Sequence, residues 1–216
     1  MLLRLSTLLF ISVVTGCASY VGEYQDRLIR SLPNQREVTF NESHSYPGKI
    51  LCGNYTTLTA DGWNTRSSDF IVGETFLFSQ ATPDEVFVYC SKDPAQALYS
   101  RLGIGAADGD WAPLIKLRDD MQAINDGINR YYNTANTLPK TLATLLEGDF
   151  GVSKETLIDP WGRPYYYIGG LSGRTAPQYQ LGSLGADGKE GGRGVDADIR
   201  KEQIQMLDHV LKFAGY

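Results

Sequence analysis

The stretch S-L-G-A-D-G-K-E-G-G-R-G-V-D-A-D-I, residues 183–199, decides how the C-terminal half of this chain folds. Its four carboxylates lie among glycines: Asp187, Glu190, Asp196 and Asp198. Glycine-rich sequence has little helix or strand propensity, so the stretch is predicted to be a loop. Several carboxylates in one tight loop repel one another unless a cation lies between them. The stretch therefore indicates a site for a hard divalent cation.

Calcium suits such a loop better than magnesium does. Calcium accepts about six to eight oxygens from carboxylates and backbone carbonyls in flexible geometry, whereas magnesium requires a stricter octahedron and retains its waters. The alternative is an acidic surface turn that holds no ion, because Asp-Gly pairs are common in turns. Composition alone leaves both interpretations open.

The residues around the loop resemble a known family. The string D-P-W-G-R-P-Y, residues 159–165, is followed by Q-Y-Q-L-G-S-L-G-A-D-G-K-E-G-G and then by D-A-D-I. Together they resemble the C-terminal domain of the type II secretion system major pseudopilin, protein G. The resemblance extends over about residues 113–199.

This resemblance implies that the loop binds one structural calcium ion. It implies side-chain ligands from Asp187, Asp196 and Asp198, and backbone carbonyl ligands from Leu184 and Val195. Glu190 also matches the motif, and we expect it to face solvent. The implied fold is α+β, a pseudopilin-like head in which a long helix packs on a small antiparallel sheet beside the calcium loop.

The segment from Pro113 onward supports a long core helix independently, since proline is favourable in a first helical turn. Apolar residues recur there at spacings of three and four: Leu114, Leu117, Met121, Ile124, Ile128 and Tyr131. Such a stripe is typical of a core-facing helix rather than of a cofactor site. A short second helix is predicted after Leu138-Pro139, and strands are predicted at residues 165–168 and 179–184.

Residues 1–16 have the features of a lipoprotein signal peptide. A positive Arg4 precedes an apolar segment, residues 5–14, which is too short to span a bilayer as a permanent helix. The following V-T-G-C resembles a lipobox and predicts lipidation of Cys17. Because Ala18 follows this cysteine, the periplasmic face of the outer membrane is favoured. An ordinary secretory signal cleaved near Ala18 is the alternative.

The mature chain is predicted to begin with a lipidated N-terminus and a short amphipathic helix, residues 17–37. A small β module follows in residues 38–92, with strands at residues 38–40, 49–55, 69–72, 75–78 and 86–89. In an oxidising periplasm, Cys52 and Cys90 are expected to form a disulfide with each other within this module. The alternative is that both remain buried thiols.

Residues 93–111 are predicted to be a linker, because Gly103, Gly105 and Gly109 interrupt regular structure. The head occupies residues 112–199. Residues 200–216 are predicted to form a C-terminal amphipathic helix, with one apolar face formed by Ile204, Leu207, Val210 and Leu211. We expect this face to cover the head's own surface rather than a partner.

The N-terminal region departs from the pseudopilin pattern. Pseudopilins begin with a leader and an apolar half-helix that enters the filament core, whereas a lipid signal and about ninety-five further residues stand in that place here. The chain is therefore not expected to polymerise by the family's route.

Composition and motifs exclude several functions. A formal net charge of −5, with scattered lysines and arginines, disfavours nucleic-acid binding. The chain lacks G-x-S-x-G, H-E-x-x-H and Walker patterns, so we expect no enzyme. The isolated His44 and His209 do not suggest a further metal site.

The sequence predicts a lipid-anchored cell-envelope protein whose calcium-binding head acts in interaction or scaffolding. Its partners would be the membrane, through the lipid, and proteins of a secretion or pilus apparatus. One alternative is an accessory or minor component of a type II secretion system. Another is a ligand-binding envelope lipoprotein, with a pocket lined by Tyr55, Trp63 and Phe70.

Overall fold

A computed structural model describes residues 19–32, 37–58, 65–171 and 178–216. The chain divides into two compact units: Met1–Ser45 with Lys49–Gln80, and Tyr46–Gly48 with Ala81–Tyr216. The predicted signal peptide and Cys17 lie outside the described residues. Within the described segments, no helix combines the length and apolarity that a bilayer crossing needs.

Among its described residues, the first unit contains one helix and a four-stranded sheet. Helix α1 spans Ser19–Ser31, and the strands are β1 (Thr39–Tyr46), β2 (Ile50–Leu58), β3 (Thr65–Val72) and β4 (Leu77–Phe78), in that order across the sheet. The helix buries side chains at helical spacing against the sheet; the cluster comprises Tyr24, Leu28, Leu32, Leu51, Tyr55, Phe70 and Val72. The predicted short helix and β meander are both confirmed.

Two residues proposed to line a ligand pocket belong instead to this core. Tyr55 and Phe70 are 2% and 0% exposed, and their ring centroids are 6.3 Å apart. The Tyr55 hydroxyl donates a hydrogen bond of 2.9 Å to the Ser79 carbonyl. Trp63 lies outside the described residues. Tyr55 and Phe70 therefore stabilise the sheet and leave no space for a ligand between them.

The strand predicted at residues 86–89 is wrong, because these residues lie in helix α2, Pro83–Tyr89. The hydroxyl of Thr82 accepts from the Glu85 amide, and the Glu85 carboxylate accepts from the Thr82 amide at 2.7 Å. This capping box and the proline at the first helical turn start a helix. They outweigh the β propensity of V-F-V-Y.

The predicted disulfide between Cys52 and Cys90 is confirmed. Cys52 lies within β2, and Cys90 follows α2 directly as its C-terminal cap residue. The bond closes a loop between distant parts of the sequence.

The second unit contains α2, α3 (Pro94–Leu102), α4 (Ala112–Ala135) and α5 (Ile204–Phe213), with an antiparallel sheet of β5 (Tyr166–Leu171), β6 (Gln178–Ser183) and β7 (Ile199–Arg200). Five residues of the predicted stripe on α4 are at most 1% exposed: Leu114, Leu117, Met121, Ile124 and Ile128. The Tyr179 hydroxyl of β6 donates to Asn125 on α4. The α+β class, with a long helix beside a small antiparallel sheet, is confirmed.

Residues 93–111 do more than connect two regions. They contain α3, whose Ala97 and Leu98 are buried within the second unit. Asp93 caps this helix by accepting from the Gln96 amide at 3.0 Å, and Gly103 ends it with a φ of 75°. Gly103, one of the glycines that predicted a linker, is thus the C-cap of a helix.

The C-terminal helix begins later than predicted, because Ile199 and Arg200 pair with β6 as strand β7. Its apolar face is buried within the chain, as expected, and packs against α2, α3 and α4. Asp208 on α5 forms an ion pair of 3.2 Å with Arg118 on α4. The helix therefore completes the second unit.

His209 lies on the buried side of α5. Its ring centroid is 4.7 Å from that of Tyr89, and its Nε2 is buried with no hydrogen-bond partner among the described residues. Burial lowers the pKa of His209 to about 4, against a smaller raising effect of Asp208. The neutral imidazole is thus the form that fits the fold.

This lowered pKa predicts a loss of stability in mild acid. The unfolded chain takes up the proton near pH 6.5 and the folded chain only near pH 4, so the loss begins below pH 6.5. Protonation of His209 alone should make the free energy of unfolding about 2 kcal/mol lower at pH 5 than at pH 7. Denaturant unfolding of wild type and His209→Gln at both pH values measures it. An equal drop in both proteins would contradict the prediction.

Candidate metal centre

The glycine-rich stretch forms a loop between β6 and β7. At its base, Gly182 pairs with Arg200 and Ser183 pairs with Ile199. The loop thus leaves and re-enters the same sheet through two adjacent antiparallel strands. The sheet therefore holds both ends of the loop close together.

Backbone hydrogen bonds fold the loop back on itself. The Ala186 amide donates to the Val195 carbonyl at 2.8 Å, and the Asp198 amide donates to the Gly191 carbonyl at 3.1 Å. Gly192 has a φ of +82°, and a Cβ at that position would lie 2.2 Å from the carbonyl oxygen of Asp196. Only glycine permits this approach, which explains part of the glycine content.

The carboxylates expected to bind the ion have different environments. Asp187 is exposed, and its Oδ1 accepts from the Lys189 amide at 3.0 Å. Asp196 and Asp198 are half-buried, and Glu190 is exposed, as expected. In the described part of the chain, no group of three or more His, Cys, Asp or Glu side chains is placed to hold a metal ion. Asp187, Asp196 and Asp198 therefore do not form such a group among the described residues.

Asp198 has one oxygen that suits a cation. Its Oδ2 accepts from the Gly191 amide at 3.1 Å, whereas its Oδ1 is buried with no hydrogen-bond partner among the described residues. A buried, unpaired carboxylate oxygen is costly, and a bound cation would remove that cost. The carbonyl of Val195 accepts from the Ala186 amide and has a second lone pair that could also face an ion. These features fit calcium, whose ligands are all oxygens.

A cavity of about 630 Å³ lies beside the loop. Its lining includes three acidic residues and one basic residue: Glu190, Asp198, Glu202 and Arg200. Leu184, whose carbonyl is an expected ligand, also lines it. Asp198 and Leu184 thus border the same cavity.

Residues 159–165 support the start of the loop through hydrogen bonds. Asp159 is only 3% exposed, and its carboxylate accepts from the Trp161 amide, the Arg163 amide and the Ser183 hydroxyl. The Ser183 hydroxyl in turn accepts from the Gly185 amide at 3.2 Å, and Arg163 Nη1 donates to the Gly185 carbonyl at 3.1 Å. The D-P-W-G-R-P-Y string thus supports the start of the loop. The sequence pattern of this string carries the family resemblance, but it predicted no role for Asp159 or Arg163.

Comparison with known proteins agrees with this architecture. A family model described as type II secretion system (T2SS), protein G, matches residues 110–202, which is less than half of the 216-residue chain. A 49-residue segment is 53% identical to the type II secretion system core protein G of Pseudomonas aeruginosa. That alignment covers 23% of this chain and 32% of the relative. The resemblance inferred from the loop motif is confirmed for the segment that contains α4, the second sheet and the loop.

Proposed function

We propose that this chain is a lipid-anchored cell-envelope protein that acts as an accessory, non-enzymatic component of a type II secretion system. Its head would bind structural calcium and serve in interaction or scaffolding. The observation that carries this proposal is the family match over residues 110–202, because this segment contains α4, the second sheet and the loop. The curated relative is a core protein of that system.

The segment before α4 argues for an accessory role rather than a filament-forming one. In pseudopilins the equivalent helix continues into an apolar half-helix. Here α4 begins at Ala112, and the chain before it turns back, with the Asp110 amide donating to the Ala107 carbonyl at 2.8 Å. The preceding helix α3 packs within the same unit instead of extending α4. A helix arranged in this way cannot interleave with filament neighbours.

The proposed calcium ion has a structural role. Asp198 Oδ1, with side-chain oxygens of Asp187 and Asp196 and carbonyls of Leu184 and Val195, would surround it with protein oxygens. These five groups would supply most of the roughly six to eight oxygens that calcium accepts, which favours a structural role over a catalytic one. Binding would instead stabilise the folded loop, because the unfolded chain has no such site. This supports the absence of catalysis in the proposal.

Membrane fractionation combined with affinity capture tests the function. The full chain, tagged at its C-terminus, would be expressed in a Gram-negative host with an active type II secretion system and captured after cross-linking. We expect wild type in the membrane fraction with components of that system bound. Cys17→Ser should be soluble and lose this capture, because it cannot be lipidated. Each lipid chain adds about 0.8 kcal/mol of membrane affinity per buried methylene.

Two results would contradict different parts of the proposal. If Cys17→Ser remained in the membrane fraction with unchanged electrophoretic mobility, the lipid anchor would be wrong. If membrane-bound wild type captured no component of the secretion system, the accessory role would be wrong.

A further inference from the structure

The loop between β6 and β7 is attached to helix α3 through Arg193. Arg193 lies between Gly192 and Gly194. Its Nη2 donates a 2.9 Å hydrogen bond to the carbonyl of Tyr99, and its guanidinium carbon lies 4.9 Å from the centroid of the Tyr99 ring. Tyr99 belongs to α3 and lies outside the segment matched by the family model.

A backbone contact reinforces this attachment. The Gly194 amide donates to the Gly103 carbonyl at 2.6 Å, and Ile104 forms a parallel bridge with Gly194. A Cβ at Gly103, where φ is +75°, would lie 3.4 Å from Arg193 Cγ. We call these four residues, Tyr99, Gly103, Arg193 and Gly194, the clasp.

The chemistry of the clasp favours arginine. The Tyr99 carbonyl accepts from the Gly103 amide at 2.9 Å and also from Arg193. The C-terminal end of a helix carries partial negative charge, so a cation there is stabilising. A guanidinium can donate to such a carbonyl while its planar face stacks on an aromatic ring. Lysine carries the same charge but lacks a planar group that can stack on an aromatic ring.

The clasp and the expected ion site share one short segment of the loop. Gly191 exchanges two hydrogen bonds with Asp198: its amide donates to Asp198 Oδ2, and its carbonyl accepts from the Asp198 amide. Two residues later, Arg193 holds the same segment against α3. Residues 191–194 therefore connect the carboxylate of Asp198 to α3.

We propose that Arg193 is a positioning residue of the metal loop, and that calcium binding and the packing of α3 stabilise each other through the clasp. This inference rests on the calcium role proposed above. Because coupling between two equilibria is reciprocal, an ion bound at Asp198 strengthens the clasp as much as the clasp strengthens ion binding. The loop thereby transmits ion occupancy to a helix outside the matched segment.

The sign of the effect separates this proposal from simple electrostatics. Removing a positive charge near a cation site should tighten calcium binding by Coulomb's law. Arg193→Ala should instead weaken it, because the loop loses its attachment to α3. Lys189→Ala is the matched control, since it removes the same charge from an exposed side chain in the same loop. Tyr99→Ala changes no loop residue but removes the stacking partner.

Calorimetric titration of the full chain with calcium tests the proposal. Arg193→Ala should bind about fivefold more weakly than wild type. Tyr99→Ala should bind more weakly than wild type but more tightly than Arg193→Ala, and Arg193→Lys should recover part of the affinity. Lys189→Ala should bind as well as wild type or better. Hydrogen exchange adds a direct readout: calcium should slow exchange in residues 94–102 of wild type but not of Arg193→Ala.

Each contrary outcome has a distinct meaning. If wild type binds calcium and Arg193→Ala binds it equally well, with the same protection of α3, the clasp inference fails while the calcium role stands. Equal weakening by Lys189→Ala and Arg193→Ala would also overturn the inference, because Lys189 is not part of the clasp and the loss of affinity would then not depend on it. If wild type binds no calcium, the proposed calcium role fails and the inference fails with it.

Discussion

Chelation of calcium is expected to lower the melting temperature of the wild-type protein by about 10 °C. A ligand at about a thousand times its dissociation constant stabilises the folded state by about 4 kcal/mol. For a chain of this size, each kcal/mol shifts the melting temperature by about 2–4 °C. The physical cause is Asp198, whose buried Oδ1 has no partner in the described protein and would gain one in the ion. Thermal unfolding in calcium and in EGTA measures the shift.

Two variants make this test specific to the loop. Asp198→Asn retains the size of the side chain and an acceptor for the Gly191 amide, but it removes the charge. It should abolish most of the difference between calcium and EGTA. Glu190→Gln removes one charge from an exposed residue of the same loop and should retain that difference. A wild-type melting curve that does not move on chelation would refute the calcium assignment.

Loss of the disulfide between Cys52 and Cys90 is expected to cost about 4 kcal/mol in the free energy of unfolding. The bond closes a loop of roughly forty residues, and opening it returns conformational freedom to the unfolded chain. Denaturant unfolding of the oxidised wild type and of the double variant Cys52→Ser, Cys90→Ser measures the cost.

Reduction provides the matched control for the serine substitutions. Reduced wild type should approach the stability of the double variant, while the double variant itself should not respond to the reductant. If reduction left the wild type as stable as the oxidised protein, the loop-closure argument would fail. Mass spectrometry without reduction should find the two cysteines linked.

Local sequence patterns were sufficient for much of the fold. The stripe on α4 follows from spacings of three and four, and each member from Leu114 to Ile128 is buried. The hairpin of β5 and β6 follows from β-branched and aromatic runs around glycines. The strand predicted at residues 86–89 was wrong, because the β propensity of these residues is outweighed by the helix start at Thr82 and Pro83 just upstream. That signal was present in the sequence.

Other features could not be predicted from local patterns, because they join residues far apart in the chain. Arg193 and Tyr99 are separated by 94 positions, and only folding brings the guanidinium to the end of α3. Asp159 and Ser183 are likewise joined across 24 positions. β7 consists of two residues, too few for a periodic signal, and exists because it pairs with β6.

The sequence by itself determined that a glycine-rich acidic loop would form and which family its segment resembles, because these depend on residue identity at short spacing. Only the tertiary structure decided which acid, among the described residues, has a buried oxygen without a partner, and which elements hold the loop in place. Burial and hydrogen-bond pairing depend on every element that packs around a group, and most of those elements are distant in sequence. The loop's chemistry is therefore local, while its support comes from the whole second unit.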